Sequence, residues 1–503
     1  MPRDESPIEA AFPVISTVSI VRRLAPGSGT QWKPCDGCPG FPRALDWCTM
    51  TQRPRTAALL ILTLIATIGL TSFGSDETAD IVLYNGRVVT MIAEGDTHEA
   101  IAVAGNRILR VGTSAEVLAL AGPETERIDL EGRAVSPGFI DPHTHLLNDS
   151  WNQGLSPTET QDLALRNGIT SAANMFTTPD LTEEYIRIAE GGEMSVRFSL
   201  YLIYNTRCGD VLGDWYTQYE PLAEIAPRLR IGGVKIFSES SVCGDEEIGV
   251  SFTPVLRDLL SPAGQEWYGA NRPLFTRDEL ANVIRRADDR GFPVAIHAIG
   301  DGGVQVSLDA IEDALGGAPN TLRHTILHNL FIRDDLLARY EALGIVAAVE
   351  SMSSCFASFY RDLLPLESKH IVRRWADLAA TGAHVTADSD WPWSAEEAIS
   401  PLFRLQALMI PENRSGSYAA WEPCGLLPED QLLSAWQGLQ MMTVEAAYML
   451  HRDAELGTLE TGKLADLVVL SADPLSTDPD RLTDIEVLLT MVDGTIEWRS
   501  GSF

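Results

Sequence analysis

Two histidines that lie close together in the sequence form a candidate metal site. They are His143 and His145, within the segment DPHTH at residues 141–145. In extended chain this spacing places both imidazole rings on one face. Imidazole is a common ligand for zinc and similar ions. The motif alone has low specificity, since two surface histidines in a loop would give the same pattern.

Three more segments end short apolar runs with a polar side chain, and a fourth carries a lysine inside such a run. The residues are Lys235 in GVKIF, His297 after VAI, His328 after TIL, and Asp390 shortly after HVTA. A single histidine in such a place is more often a core residue bonded to backbone. The spacing, however, is regular: 31 residues separate the two histidines, and 62 separate His328 from Asp390. These intervals correspond to about one and two strand–helix units, so they favour a shared site.

The elements that would position these residues alternate between short apolar runs and helical patterns, which is typical of parallel βαβ units. One helix is predicted by the capping box TRDE at residues 276–279, followed by an apolar face. Eight such strand–helix units can be counted in the sequence. They predict an α/β fold, a (β/α)8 TIM-like barrel whose strand ends carry the site. The predicted strands are 138–140, 169–172, 196–203, 233–237, 294–297, 325–328, 345–349 and 384–387.

Both ends of the body of the chain are rich in strand patterns with Asn-Gly or Asp-Gly turns. We therefore predict a small β-sandwich domain built from residues 76–135 and 452–503, flanking a barrel of residues 136–451. The preceding segments differ in composition. Residues 1–49 are rich in proline and glycine, which predicts an unstructured leader and a misassigned start, and residues 50–75 pair a basic stretch with an apolar run of 14 residues.

That basic and apolar pair predicts either a cleaved signal peptide or an uncleaved membrane anchor, and hence an exported or membrane-associated protein. The chain has 38 basic and 70 acidic residues, a net charge of −32, which argues against a nucleic-acid partner and favours a small-molecule substrate. The oligomeric state, including a homo-oligomer, is left open. The seven cysteines do not indicate a disulfide framework, and Cys35 and Cys38 lack the second pair of a zinc knuckle.

The ordered motifs resemble those of the amidohydrolase superfamily, in the branch that contains N-substituted formamide deformylases. The resemblance runs from about residue 79 to residue 499, and its first and last motifs together are highly specific. The matching segments are PGFIDPHTH (137–145), GVKIF (233–237), HAIGD (297–301), SDWP (389–392) and GTLETGKLADLVVL (457–470).

The resemblance implies one or two divalent ions at the barrel mouth, with two Zn²⁺ as the expected pair. It places His143 and His145 on the more buried ion, and His297 and His328 on the other. It also implies that Lys235 is carboxylated and bridges the ions. Asp390 would be both a ligand and the proton acceptor. Asp388 has the same strand parity and is an alternative ligand, but Asp390 keeps the register of the family motif.

The chemistry implied is hydrolysis of a C–N bond in an amide, formamide or cyclic amide. A bound dication lowers the pKa of its water from ~15.7 towards ~7 and polarises the carbonyl. Asp390 would accept the proton and pass it to the leaving nitrogen. A lactonase or esterase, a deaminase and a catalytically silent scaffold remain alternatives, although Lys235 argues against a deaminase and the complete ligand set argues against a scaffold.

Several further residues are candidates for other roles. Trp391 and Trp393 form either a pocket wall or rim packing, and Arg207 is a candidate substrate contact. The segment that begins at Glu350 departs from the family pattern, since it lacks the Gln-Pro-x-His of much of the branch. The remaining predictions are structural: His324 and His384 lie at strand starts, and Asp301 caps a helix.

Overall fold

Eight parallel strands form the central sheet of the protein. The computed structural model describes residues 78–241, 243, 249–260, 262, 273–350, 370–394, 396–410 and 429–503. The eight strands pair in chain order and curve into a nearly closed barrel, which confirms the α/β barrel prediction. They are β8 (Phe139–Thr144), β9 (Ile169–Thr177), β10 (Arg197–Ile203), β12 (Leu229–Phe237), β13 (Val294–Ala298), β14 (Thr325–His328), β15 (Val346–Glu350) and β16 (Val385–Asp388).

The first and last strands of this barrel meet through backbone hydrogen bonds at their carboxyl ends. The amide of Asp390 donates to the carbonyl of His143 at 2.9 Å, and the amide of His145 donates to the carbonyl of Trp391 at 2.8 Å. The barrel therefore closes at the level of the DPHTH segment. This closure brings the residues after β16 beside the residues at the end of β8.

Helices follow most of the barrel strands and pack on their outer surface. In α5 the predicted capping box is present: Thr276 Oγ1 accepts from the amide of Glu279, and the Glu279 carboxylate accepts from the amide of Thr276. Leu280 and Ile284 bury the apolar face of this helix. The described helices are α1 (Ser114–Leu118), α2 (Pro157–Arg166), α3 (Pro179–Glu190), α4 (Pro254–Leu259), α5 (Arg277–Asp288), α6 (Asp301–Leu315), α7 (Asp334–Leu343), α8 (Trp375–Thr381), α9 (Pro401–Met409), α10 (Ala435–Met441) and α11 (Val444–Met449).

Two further sheets lie outside the barrel, and the larger of them combines strands from both ends of the described chain. One has four strands in the order β5-β4-β1-β6, and the other has six in the order β19-β18-β17-β7-β2-β3. In the second sheet β7 pairs antiparallel with β17, with Ser136 opposite Val468. The strands are β1 (Ala79–Tyr84), β2 (Arg87–Val89), β3 (Thr97–His98), β4 (Ala100–Ala104), β5 (Arg107–Gly112), β6 (Ala121–Asp129), β7 (Ala134–Pro137), β17 (Leu467–Leu470), β18 (Val487–Val492) and β19 (Thr495–Arg499), and the short β11 (Glu224–Ala226) pairs with β12.

The strand β7 crosses the predicted domain boundary between residues 135 and 136. One continuous segment leaves the six-stranded sheet at Pro137 and enters the barrel at Phe139. A buried ion pair joins the same two parts of the molecule, since Arg197 at the start of β10 lies 2.8 Å from Asp466 and 2.6 Å from Asp493. The barrel and the six-stranded sheet are thus tied together at the amino-terminal side of the barrel strands.

The structure contains a disulfide that the sequence analysis did not predict. Cys208, in the loop after β10, is bonded to Cys243, in the loop after β12. The cysteines are 35 positions apart in the sequence, and this spacing does not indicate pairing. The loops lie together because β10 and β12 are neighbours in the barrel.

The predictions for residues 1–49 and 50–75, together with Cys35 and Cys38, lie outside the described residues. None of the helices in the described part of the chain has the length and hydropathy needed to cross a bilayer.

Candidate metal centre

The side chains predicted to form the site come from five strands of the barrel, and all belong to its carboxyl-end rim. His143 lies in β8 and His145 directly follows it. Lys235, His297 and His328 lie in β12, β13 and β14. The three residues Lys235, His143 and His297 are at most 3% exposed. Asp390 follows β16 by two residues, where the barrel closes. Burial of so many ionisable groups in one place requires partners for them.

The four histidines form one continuous cluster. The ring centroids of His143 and His145 are 5.7 Å apart, and those of His143 and His328 are 5.0 Å apart. His297 continues the cluster, with its centroid 4.3 Å from that of His328. Residues separated by 185 positions in the sequence therefore lie within contact of one another.

Asp390 completes the cluster on the side of His143 and His145. Its Oδ1 atom lies 3.1 Å from Nε2 of His143 and 3.2 Å from Nε2 of His145. These three residues place their ligand atoms within 4.8 Å of one another, close enough to hold one metal ion. Asp390 and His328 both have left-handed backbone conformations, with φ of 48° and 74°. Such conformations are uncommon outside glycine and cluster at functional sites.

Asp388, the alternative ligand from the sequence, lies behind His143. Its Oδ1 atom is 3.5 Å from Nδ1 of His143, on the opposite edge of the ring from Asp390. The two aspartates therefore occupy different places: Asp390 faces both imidazoles of the motif, and Asp388 lies on the far side of the His143 ring.

Glu350 joins the cluster, and the sequence analysis did not predict it as a site residue. It ends β15, and its Oε1 atom contacts Nδ1 of His328. His143, His328 and Glu350 form a second group whose ligand atoms lie within 4.8 Å of one another. The signal was present in the sequence, since Glu350 ends an apolar strand just as His328 does.

The buried imidazoles are held in the neutral form. Burial and the nearby Lys235 ammonium lower the pKa of His143 well below its usual range, and burial has the same effect on His297. The pKa of His328 is lowered to about 3, again mainly by burial. A neutral imidazole offers a lone pair to a metal ion. These three histidines are therefore in the protonation state that metal binding requires.

Several of these buried polar atoms have no hydrogen-bond partner among the described residues. Unpartnered atoms of this kind are costly unless a bound group satisfies them. Neutral imidazole nitrogens and carboxylate oxygens together suit zinc and related divalent ions. The donor set therefore fits the metal that the sequence resemblance implies. The unpartnered atoms are Nδ1 and Nε2 of His143, Nε2 of His297, Nε2 of His328, and both carboxylate oxygens of Asp388.

Two buried cations lie against this cluster. Lys235 is 1% exposed, and burial lowers its pKa to about 8. Arg404, from α9, is fully buried and lies 3.3 Å from the Asp141 carboxylate. Asp141 in turn accepts a hydrogen bond from the amide of Ser389 at 3.1 Å, next to Asp390. The carboxylates beneath the site are thus tied to the closing segment of the barrel.

The three residues predicted to contact substrate have different surroundings. Trp391 is 2% exposed and packs in the main core. Trp393 is 43% exposed, and its Nε1 donates to Asp149 at 2.8 Å. The guanidinium carbon of Arg207 lies 4.8 Å from the centroid of the Trp393 ring. The structure therefore brings Arg207 and Trp393 together.

The residues expected to be structural make contacts away from the cluster. His324 pairs with Asp288 at 3.1 Å, and His384 pairs with Glu445 at 2.7 Å. Asp301 does not cap α6, because Gly300 is the N-cap residue and no side-chain cap is present. The Asp301 carboxylate instead accepts from Thr253. The helix-cap prediction for Asp301 is wrong, since its side chain joins neighbouring loops.

The chain matches a protein-family model and is similar to several named proteins. A family model described as "Amidohydrolase family" matches residues 159–496. YtcJ of Bacillus subtilis, named as an amidohydrolase, is 26% identical over 368 residues, which is 72% of this chain and 62% of that protein. The imidazolonepropionase of Symbiobacterium thermophilum is 28% identical, over 74% of this chain and 83% of that enzyme.

Two further proteins are similar to the chain, one in sequence and one in fold. The N-substituted formamide deformylase of Arthrobacter pascens is 25% identical, over 85% of this chain and 100% of that enzyme. The crystal structure of an uncharacterized metal-dependent hydrolase from Pyrococcus furiosus superimposes with a TM-score of 0.64 at 19% identity, covering 79% of this chain and 100% of that one. At this identity the last comparison bears on the fold alone.

Proposed function

The chain belongs to the amidohydrolase family, and from this premise we propose that it is a metal-dependent hydrolase that cleaves C–N bonds in small molecules. The observation that carries the proposal is the single buried cluster at the barrel mouth. It combines four histidines with Asp390, and burial lowers the pKa of three of them, His143, His297 and His328. The proposed substrates are amides, formamides and cyclic amides.

We assign the side chains of the cluster to two sets of ligands. His143, His145 and Asp390 would hold one divalent ion. His297 and His328 would hold a second, with Glu350 next to His328, and carboxylated Lys235 would lie between them. Zinc is the ion proposed. When bound, such ions supply an activated water and polarise the substrate carbonyl.

Asp390 is the proposed proton carrier of the reaction. Its carboxylate lies at the closing segment of the barrel, in contact with both imidazoles of the motif. A general base must be within hydrogen-bond reach of the water whose proton it accepts, and the mouth of the barrel provides that position. Asp390 would then donate this proton to the leaving nitrogen, so that the amine departs as a neutral group.

The first experiment measures metal content and hydrolysis on the same sample. We expect about two ions per chain, and turnover of at least one compound in a panel of N-acyl amino acids, formamides, cyclic amides and lactones. A metal-loaded protein that hydrolyses only the lactones would contradict cleavage of C–N bonds. A protein that binds no metal under zinc-saturating conditions would contradict the proposal as a whole.

The second experiment is the variant Asp390→Asn. Loss of the proton carrier should reduce kcat by about 1000-fold, while the folded structure is kept. The matched control is Asp309→Asn on the outer helix α6, which loses ion pairs with Arg277 and Arg339 but lies away from the cluster. If Asp390→Asn is as active as the control, Asp390 is not the proton carrier of the reaction.

A further inference from the structure

A guanidinium and an indole lie side by side at the rim of the proposed active site, outside the ligand cluster. Arg207 lies over the ring of Trp393 at 4.8 Å, and Trp393 is 43% exposed. We propose that these two side chains form a subsite for a carboxylate carried on a flat apolar part of the substrate. The substrates would therefore be anionic amides, an inference that rests on the proposed hydrolase function.

The charge of Arg207 is available to a ligand. No ion pair joins it to a carboxylate in the part of the chain that the structure describes, although the chain carries 70 acidic residues. Most of the other arginines in the barrel helices and loops pair with aspartate or glutamate, as Arg286 does with Asp214. A planar guanidinium forms two parallel hydrogen bonds with a carboxylate, which makes it suited to anion recognition.

Trp393 is held in place from the side of the ligand cluster. Its Nε1 donates to Oδ2 of Asp149 at 2.8 Å, and the same oxygen lies 3.5 Å from Nδ1 of His145. Two side chains, Asp149 and Trp393, thus separate the Arg207 guanidinium from a proposed metal ligand. A substrate that reaches both places needs a spacer between its scissile bond and its carboxylate. An aromatic ring fits this requirement and can pack against the indole.

The main chain around Arg207 is fixed before any ligand binds. Its carbonyl accepts hydrogen bonds from Oγ of Ser240 at 3.1 Å and from the amide of Ser241 at 3.4 Å. The next residue, Cys208, is bonded to Cys243. The loop that carries Arg207 is therefore tied to the loop after β12, which reduces the ordering entropy that binding would otherwise cost.

The test compares two probes that differ only in charge, 4-formamidobenzoate and 4-formamidobenzamide. Their dissociation constants are measured by calorimetry and by tryptophan fluorescence on the zinc-loaded full chain. We expect the anionic probe to bind about tenfold more tightly than the neutral one, because a charge-assisted hydrogen-bond pair is gained. The variant Arg207→Met should reduce this ratio to about one, and Arg207→Lys should retain part of it.

Two further variants separate the indole from general effects of charge. Trp393→Leu should weaken both probes, since the flat surface is lost. Arg499→Met serves as the matched control, because Arg499 is an exposed arginine in β19 that pairs with Glu126 and should leave the ratio as in the wild type.

The outcomes distinguish this inference from the proposed function. A wild-type ratio near one, or a ratio that persists in Arg207→Met, would overturn the subsite. Selective binding of the anionic probe without cleavage of either probe would support the subsite and count against formamide hydrolysis. Cleavage of both probes at equal kcat/KM would support the hydrolase and overturn the anion preference.

Discussion

Lys235 shows how a single buried side chain can make stability depend on pH. Burial lowers its pKa from 10.5 to about 8. Between these values the unfolded chain holds more protons than the folded chain, so the free energy of unfolding of the metal-free protein should rise as the pH increases from about 8 to 10.5. The slope contributed by one group is at most about 1.4 kcal/mol per pH unit.

Denaturation by urea at pH 7.5, 9 and 10 would measure this slope in metal-free protein. In Lys235→Met this contribution is absent. The unfolding free energy of the variant minus that of the wild type should therefore fall steadily from pH 7.5 to pH 10. A difference that stays constant with pH would show that Lys235 keeps its ordinary pKa.

At the residue scale, the sequence predicted those members of the cluster that end an apolar strand and are typical metal ligands. His297 and His328 are examples, since each ends its strand as the pattern indicates. Glu350 obeys the same pattern but was not predicted, because glutamate at a strand end is common without a metal. Asp149 could not be predicted, since its contacts with His145 and Trp393 depend on how two loops fold over the mouth.

A helix and a buried carboxylate position the strand end that carries His297. Glu239 is fully buried, and its carboxylate accepts hydrogen bonds from the amides of Ser251, Ile299 and Gly300. The first turn of α6 lies directly on this carboxylate: a Cβ atom added to Gly303 would be 2.6 Å from Cδ of Glu239. Only a residue without a side chain allows the helix and the carboxylate to approach so closely.

The variant Gly303→Ala should therefore displace Glu239 and disturb the loop after His297. We expect a loss of about 1–3 kcal/mol in unfolding free energy, as for other overpacked interiors, together with weaker zinc binding. Chemical denaturation and zinc titration would measure the two effects. Gly501→Ala is the control, because a Cβ at that position meets nothing within 4 Å. Equal behaviour of the two variants would contradict the role assigned to this contact.

At the scale of elements, all eight barrel strands follow from apolar runs in the sequence. Their carboxyl ends are less well predicted. The first strand was expected to end at Ile140 but continues to Thr144, because paired backbone extends through the polar residues that point into the mouth. The Cys208–Cys243 bond illustrates the other limit, since it depends on the adjacency of β10 and β12.

At the scale of the whole molecule, Arg197 joins the barrel to the six-stranded sheet, which is built from both ends of the described chain. It is 5% exposed and binds Asp466 and Asp493. Removing one partner of a buried ion pair leaves the other charge uncompensated, so Arg197→Met should lower the unfolding free energy by about 3–5 kcal/mol. The exposed pair removed by Arg499→Met should cost less than about 1 kcal/mol. Similar losses in the two variants, measured by chemical denaturation, would show that the buried pair does not couple the two parts.

The balance of buried charge makes the stability of the whole molecule depend on the metal. Four buried or nearly buried carboxyl groups, Asp141, Asp388, Asp390 and Glu350, face two cations, Lys235 and Arg404. Burial raises the pKa of Glu350 from 4.5 to about 7. Between these values Glu350 holds more protons in the metal-free folded chain than in the unfolded chain, so its contribution to stability should fall as the pH rises from 4.5 to 7. The lowered pKa values of His143, His297 and His328 act in the opposite direction.

Bound divalent ions should add more stability as the pH rises, because they bind the deprotonated carboxylates and neutral imidazoles. We therefore expect chelation to lower the Tm, and the gap in Tm between zinc-loaded and chelated protein to widen from pH 5 to pH 7.5. Calorimetry on both forms would measure the gap, and added zinc should close it where added magnesium does not, because the donor set is rich in imidazole. If the gap in Tm is absent, or equal at both pH values, the buried charges of the cluster are compensated without a bound metal.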